Sequence, residues 1–104
     1  MEITGKELEE KINNGEKIVV EFWAPWCGPC RMLKPVFERV ASNNDTEVQM
    51  YTMDIDQNRD YAQTLGIRSI PTTKSFNNKQ ISDTVVGVIG EEKIKSLVSN
   101  LITE

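Results

Sequence analysis

The chain has 104 residues, 38% of them apolar, which is enough for one domain with a core of its own; no disulfide staple is needed. Two cysteines and no histidine leave a structural zinc site half built, and a formal charge of −4 argues against a nucleic-acid or anionic-membrane surface. No run of about 18 apolar residues is present for a membrane span, and Met1-Glu2-Ile3-Thr4 lacks the basic and apolar regions of a signal peptide, so a soluble, cytoplasmic chain is expected.

In chain order, any strand before Thr4 is a stub of three residues. Thr4-Gly5-Lys6-Glu7 reads as a capping box that opens a short helix with Leu8 and Ile12 on its apolar stripe, ended by Asn13-Asn14-Gly15. Ile18 to Trp23 is apolar on both alternating faces except at Glu21, the pattern of a central strand covered on both sides, so Glu21 is expected to be a carboxylate in a core. Beyond Trp26-Cys27-Gly28-Pro29-Cys30, the residues Met32, Leu33, Val36, Phe37 and Val40 recur at helical spacing, with a kink expected at Pro35. Val48 to Asp54 reads as a second strand. Asn58 can cap a short helix carrying Tyr61, Ala62 and Leu65, and Gly66 closes it. This β-α-β-α order implies parallel strands. Thr72 to Phe76, an Asn77-Asn78-Lys79 turn and Gln80 to Gly87 form an antiparallel hairpin, and Ile94, Leu97, Val98, Leu101 and Ile102 stripe a final helix. No linker or repeat divides the chain, so residues 1–104 are expected to be a single domain.

The chemistry concentrates in the two cysteines. A bridge across two residues closes too short a loop to stabilise much, so the pair is not expected to be structural, and in a reducing compartment such a pair is more often catalytic or metal-binding. The pair also sits where an apolar strand gives way to a helix N-terminus. There, unpaired backbone N–H groups and the positive end of the helix dipole favour a thiolate, the only form that attacks a disulfide sulfur.

At Phe22-Trp23-Ala24-Pro25-Trp26-Cys27-Gly28-Pro29-Cys30, and again at Gly66-Ile67-Arg68, Ile70-Pro71-Thr72 and Val86-Gly87, the sequence resembles the thioredoxin family, and the match spans nearly the whole length. The resemblance implies an α/β thioredoxin fold, a central mixed five-stranded sheet with two helices on each face. It also implies that Cys27 attacks a client disulfide, that Cys30, one turn inside the helix, resolves the mixed disulfide, and that Pro71 is a cis-proline whose neighbour Ile70 offers its backbone to an incoming peptide. Trp26 is expected to be an exposed contact surface and Trp23 to pack beneath the site. Val86 and Gly87 complete an apolar groove with Ile70, Gly28 permits close approach of a partner's backbone, and Pro29 is tolerated in the helix's first turn.

Three places depart from the family. Glu21 stands where a buried Asp is usual; with no histidine in the chain, a desolvated carboxylate is the expected general base for Cys30. Thr52 replaces a common lysine, and Thr73-Lys74-Ser75 replaces an apolar stretch, so the hydroxyls of Thr52, Thr73 or Ser75 are expected to hydrogen-bond around Glu21, while Lys74 snorkels or finds a carboxylate. Arg31 is read as steadying the thiolate, choosing partners or lying in solvent.

The leading reading is a general protein-disulfide reductase without a bound cofactor or metal. It acts on disulfide-containing client proteins, is re-reduced by a thioredoxin reductase (a flavoprotein), and works as a monomer without nucleic-acid or membrane partners. A thiol oxidant or isomerase on the same fold is disfavoured by the Gly28-Pro29 dipeptide, and a non-catalytic peptide-binding subunit is the reading from a different class.

Overall fold

The computed structural model describes residues 1–103. Its elements are α1 (Gly5–Asn13), β1 (Ile18–Trp23), α2 (Gly28–Ser42), β2 (Gln49–Asp54), α3 (Arg59–Thr64), β3 (Thr72–Asn77), β4 (Gln80–Val86) and α4 (Glu91–Thr103). The sheet runs in the order β2-β1-β3-β4, with β1 parallel to β2 and the other two pairs antiparallel.

The doubly apolar pattern of β1 places it inside the sheet. Ile18, Val20 and Phe22 point to one side, where they pack with Ile3, Leu8, Met53 and Phe76 and with Ile12, Tyr61 and Leu65 of α1 and the α3 region. Val19 points to the other, among Leu33, Phe37 and Val40 of α2 and Ile94, Leu97 and Leu101 of α4. Each such side chain taken fully out of water contributes roughly 1.5–3 kcal/mol, so two cores on opposite faces hold four helices to one sheet. By strict alternation Glu21 belongs to the α2/α4 face. It is completely buried.

The resemblance implied five strands; among the described residues the sheet has four. Ahead of α1 the chain does reach the outer edge of β2, where Ile3 N–H donates to Thr52 O and Thr52 N–H donates to Met1 O, both at 2.9 Å. Pairing is confined to one bridge, Glu2 with Thr52. The capping box explains why it stops: Thr4 Oγ1 accepts Glu7 N–H at 3.1 Å and Glu7 Oε1 accepts Thr4 N–H at 2.9 Å, which commits the backbone to α1 immediately after Ile3.

Other element ends follow their residues, with local differences. Asn58 occupies the N-cap of α3 without capping it; its Oδ1 accepts Gly5 N–H at 2.8 Å and its Nδ2 donates to Asp54 O at 2.9 Å, tying the starts of α1 and α3 to the end of β2. Helix α2 continues through Pro35 to Ser42. The hairpin turn has positive φ at Asn78 (54°) and Lys79 (68°), as a tight reversal between twisted strands requires. All of β3 is buried despite its polar residues, and Lys74 extends to β4, where its Nζ donates to Thr84 Oγ1 at 3.0 Å instead of meeting a carboxylate. In α4 the stripe is buried from Ile94 to Leu101, whereas Ile102 lies 45% exposed at its margin. No described helix is long and apolar enough to cross a membrane.

Candidate active site

Strand β1 delivers the chain to one edge of the molecule, and Ala24-Pro25-Trp26 turns it into α2. Cys27 is the N-cap of that helix, with extended backbone (φ −88°, ψ 111°), and its Sγ accepts the Cys30 N–H at 3.2 Å. A sulfur at this point takes up one of the N–H groups that a helix leaves unpaired at its start, an arrangement that stabilises negative charge on sulfur. Pro29 lies in the first turn, where its missing N–H removes no helical bond, and a Cβ built on Gly28 would meet nothing within 4 Å, so that side of the dithiol is open. Cys27 and Cys30 are bridged, their Cα atoms 5.3 Å apart. They are 4% and 1% exposed and pack with Ala24, Trp23, Ile55 and Ile70.

Residues distant in sequence close around the pair. The Ile70–Pro71 peptide is cis, and the Ile70 carbonyl oxygen lies 3.8 Å from Cys27 Sγ. Gly87 N–H donates to Pro71 O at 2.8 Å, which sets Val86 and Gly87 beside Ile70 and Pro71. Gly87 has φ of 98°, a region where only glycine is comfortable. Trp26 and Val86 stand out of the surface, 67% and 62% exposed, and the Trp26 Nε1–H donates to Asp56 Oδ2 at 2.8 Å. Arg31 Nη2 donates to Pro25 O at 3.1 Å, so this guanidinium braces the loop ahead of the cysteines.

Glu21 is set apart from this cluster. Its two carboxyl oxygens are buried and have no hydrogen-bond partner, so neither cysteine and none of the three expected hydroxyls bonds to it. The register does put Thr52 and Thr73 directly across from Glu21 on the flanking strands. The Thr52 hydroxyl, however, donates to Glu2 Oε1, an acceptor on the edge side of β2, and the Thr73 hydroxyl is itself unpaired. Burial pushes the Glu21 carboxyl up to about 7, Lys34 pulls it back down, and Glu38 and Glu2 push it further up.

The sequence did not mark three contributors to this region. Lys34 follows Cys30 by one helical turn, and its ammonium sits 3.9 Å from the centre of the Trp23 ring; the i, i+4 spacing on α2 could have found it. Asp56, partner of Trp26, and Glu2 belong to no motif, and only the folded chain brings them here.

A family profile described as Thioredoxin matches residues 1–100. Among curated proteins, the thioredoxin of Porphyra purpurea is 38% identical over 95 residues, covering 91% of this chain and 89% of that protein. The thioredoxin of Rickettsia bellii is 37% identical over 101 residues, 96% of each chain. Among solved structures, a mutant thioredoxin from Halobacterium salinarum aligns with a TM-score of 0.84 at 31% identity, covering 97% of this chain and 88% of that one.

Proposed function

The chain belongs to the thioredoxin family, and as a dithiol/disulfide oxidoreductase with a Cys-x-x-Cys active site we propose that it divides the reaction between its residues as follows. In the reduced protein the Cys27 thiolate attacks one sulfur of a client disulfide, forming a mixed disulfide and releasing the client's other sulfur as a thiolate. Cys30 then loses its proton and attacks Cys27 Sγ. The Cys27–Cys30 bond forms, the mixed disulfide breaks, and the client leaves with two thiols and two added electrons. A flavoprotein thioredoxin reductase returns the two electrons. The cycle needs no bound cofactor, and its setting is a reducing cytoplasm with protein disulfides as clients.

The single observation that carries this reading is the Cys27 sulfur at the N-cap of α2, where it accepts the Cys30 N–H, with Cys30 one turn inside the helix; this position supports Cys27 as the activated nucleophile and Cys30 as the resolving thiol. Trp26, Ile70, Pro71, Val86 and Gly87 form the face on which a client's backbone and side chains rest, supported by the Ile70 carbonyl beside Cys27 and the glycine at position 87. Glu21 takes the Cys30 proton during resolution. In support, Lys34 is one turn from Cys30 and acts electrostatically on Glu21, whose affinity for protons near neutrality suits a base working at that pH.

The test pairs trapping with a potential. Cys30→Ser incubated with a disulfide-containing protein accumulates a covalent mixed disulfide, while Cys27→Ser forms none; trapping by the opposite variant would reverse the roles. Equilibration of the wild type in thiol redox buffers is expected to give about −270 mV, the value known for thioredoxin itself. A result near −180 mV, as for protein disulfide isomerase, would assign it to oxidation or isomerisation instead.

A further inference from the structure

Glu2 is a surface residue in a three-residue stub, yet its carboxylate gathers donors from two strands of the sheet. Its Oε1 accepts the Trp23 Nε1–H at 2.7 Å and the Thr52 hydroxyl, and its Oε2 accepts the Asp54 backbone N–H at 3.1 Å. Trp23 ends β1, and its ring packs on the Ala24–Cys27–Cys30 cluster. The Lys34 ammonium of α2 covers that ring at 3.9 Å. One indole is thus held at its N–H edge by an anion and on its face by a cation, and each contact favours the other: a carboxylate on the N–H makes the ring more electron-rich, and a richer ring binds the ammonium better.

We propose that Glu2 is a positioning residue for the redox centre, fixing the Trp23 indole against the Cys27–Cys30 pair and through it seating the Lys34 ammonium, so that the N-terminal segment governs the charge around Glu21. The charged groups acting on Glu21 are Lys34 and Glu38 from α2 and Glu2 from this segment. Its strand neighbours Thr52 and Thr73 are neutral, α4 turns Ile94, Leu97, Val98 and Leu101 toward this core, and the Asp54 carboxylate on β2 is engaged with the Asp56 N–H at 2.9 Å. Lys34 and Glu2 oppose each other in their effect on Glu21. The indole links them, so a change at Glu2 alters its own charge effect and the seat of Lys34 together.

The positioning stands on geometry alone; only its kinetic consequence rests on Glu21 accepting the Cys30 proton. In the full oxidised chain, Glu2→Gln keeps an amide oxygen for the Trp23 N–H but removes the charge, and Glu2→Ala removes both. Two readouts separate these effects: the Trp23 indole ¹H–¹⁵N resonance, assigned with Trp23→Phe, and the pH midpoint of the Glu21 side-chain carbonyl ¹³C shift. Glu2→Gln is expected to lower the Glu21 midpoint by roughly half a pH unit with little movement of the indole signal, and Glu2→Ala to shift the indole signal upfield as its charge-assisted hydrogen bond is lost. An unmoved Glu21 midpoint in Glu2→Gln, or an unmoved indole in Glu2→Ala, overturns the proposal. If the midpoint moves while the pH profile of mixed-disulfide resolution stays fixed, positioning by Glu2 holds and Glu21 is not the proton acceptor. If the midpoint stays fixed while Glu21→Gln slows resolution, Glu21 keeps its role and Glu2 loses its own.

Discussion

Glu21 joins the stability of the protein to its chemistry through one proton. Its carboxyl binds that proton more tightly in the fold, at about 7, than in the unfolded chain, at about 4.5. An acid shifted upward stabilises the folded state at low pH. Here the contribution is full below about 4.5 and is lost as pH rises through about 7, because an ionised Glu21 must then be held where no donor reaches it. The loss is about 3 kcal/mol at most. Urea unfolding of the oxidised protein at pH 5 and pH 8 should show this decline, and Glu21→Gln, which has nothing to ionise, should flatten it; equal slopes would mean Glu21 is charged or solvated throughout. The same substitution should slow resolution of a mixed disulfide roughly 100-fold or more at pH 7 and leave the initial attack by Cys27 nearly intact, as stopped-flow single turnovers can resolve. That Glu21 is buried could be read from the sequence, since the alternation of Ile18 to Trp23 admits no other place for it. What surrounds it could not. Hydroxyls at Thr52 and Thr73 stand opposite it as the register demands, but a hydroxyl rotates to the acceptor it can reach, and for Thr52 that acceptor is Glu2, far away in sequence.

The elements themselves were legible where local chemistry dictates them. Thr4 with Glu7 starts α1, a positive-φ pair turns the β3–β4 hairpin, and the stripe from Ile94 to Leu101 makes α4. Legibility fails where a choice depends on a neighbour. Asn58 looks like a helix cap, but its side chain serves Gly5 and Asp54, and the family's fifth strand shrinks to a bridge at Glu2 because α1 begins too soon. Gly5 shows the same dependence in energetic terms. Alanine is the better helix former by about 1 kcal/mol in a helix interior, and by less at Gly5, the first residue of α1. The added Cβ, however, would lie 2.7 Å from Cβ and 2.9 Å from Cγ of Tyr61, the stem of a ring wedged between α1 and α3. Gly5→Ala is therefore expected to destabilise the protein by about 1–3 kcal/mol despite the better helix former, with the potential of the cysteine pair unchanged. Thermal denaturation checks it, and a raised melting temperature would show that Tyr61 yields freely.

At the scale of the molecule, two apolar cores share one sheet, and the strands β1 and β2 contribute side chains to both. Loss of either face exposes the other side of the same strands. Residues 1–104 should accordingly unfold as one cooperative unit, with far-ultraviolet dichroism and tryptophan fluorescence tracing coincident urea curves; separated midpoints would divide the chain into two units. The arrangement also gives the molecule a reactive end and an inert one. Helix α2 carries Cys27 at its start and, after 15 residues or about 22 Å of rise, reaches the surface where Arg39 pairs with Glu91 and where Ile102 lines a cleft with Asn43. Glu2, by contrast, bonds directly to the indole that packs on the disulfide. The two ends of α2 are therefore not equivalent places to touch: a change at Glu2 should be felt at the Trp23 indole and at Glu21, whereas a label on the face of Arg39, Asn43 and Ile102 lies a full helix length from Cys27.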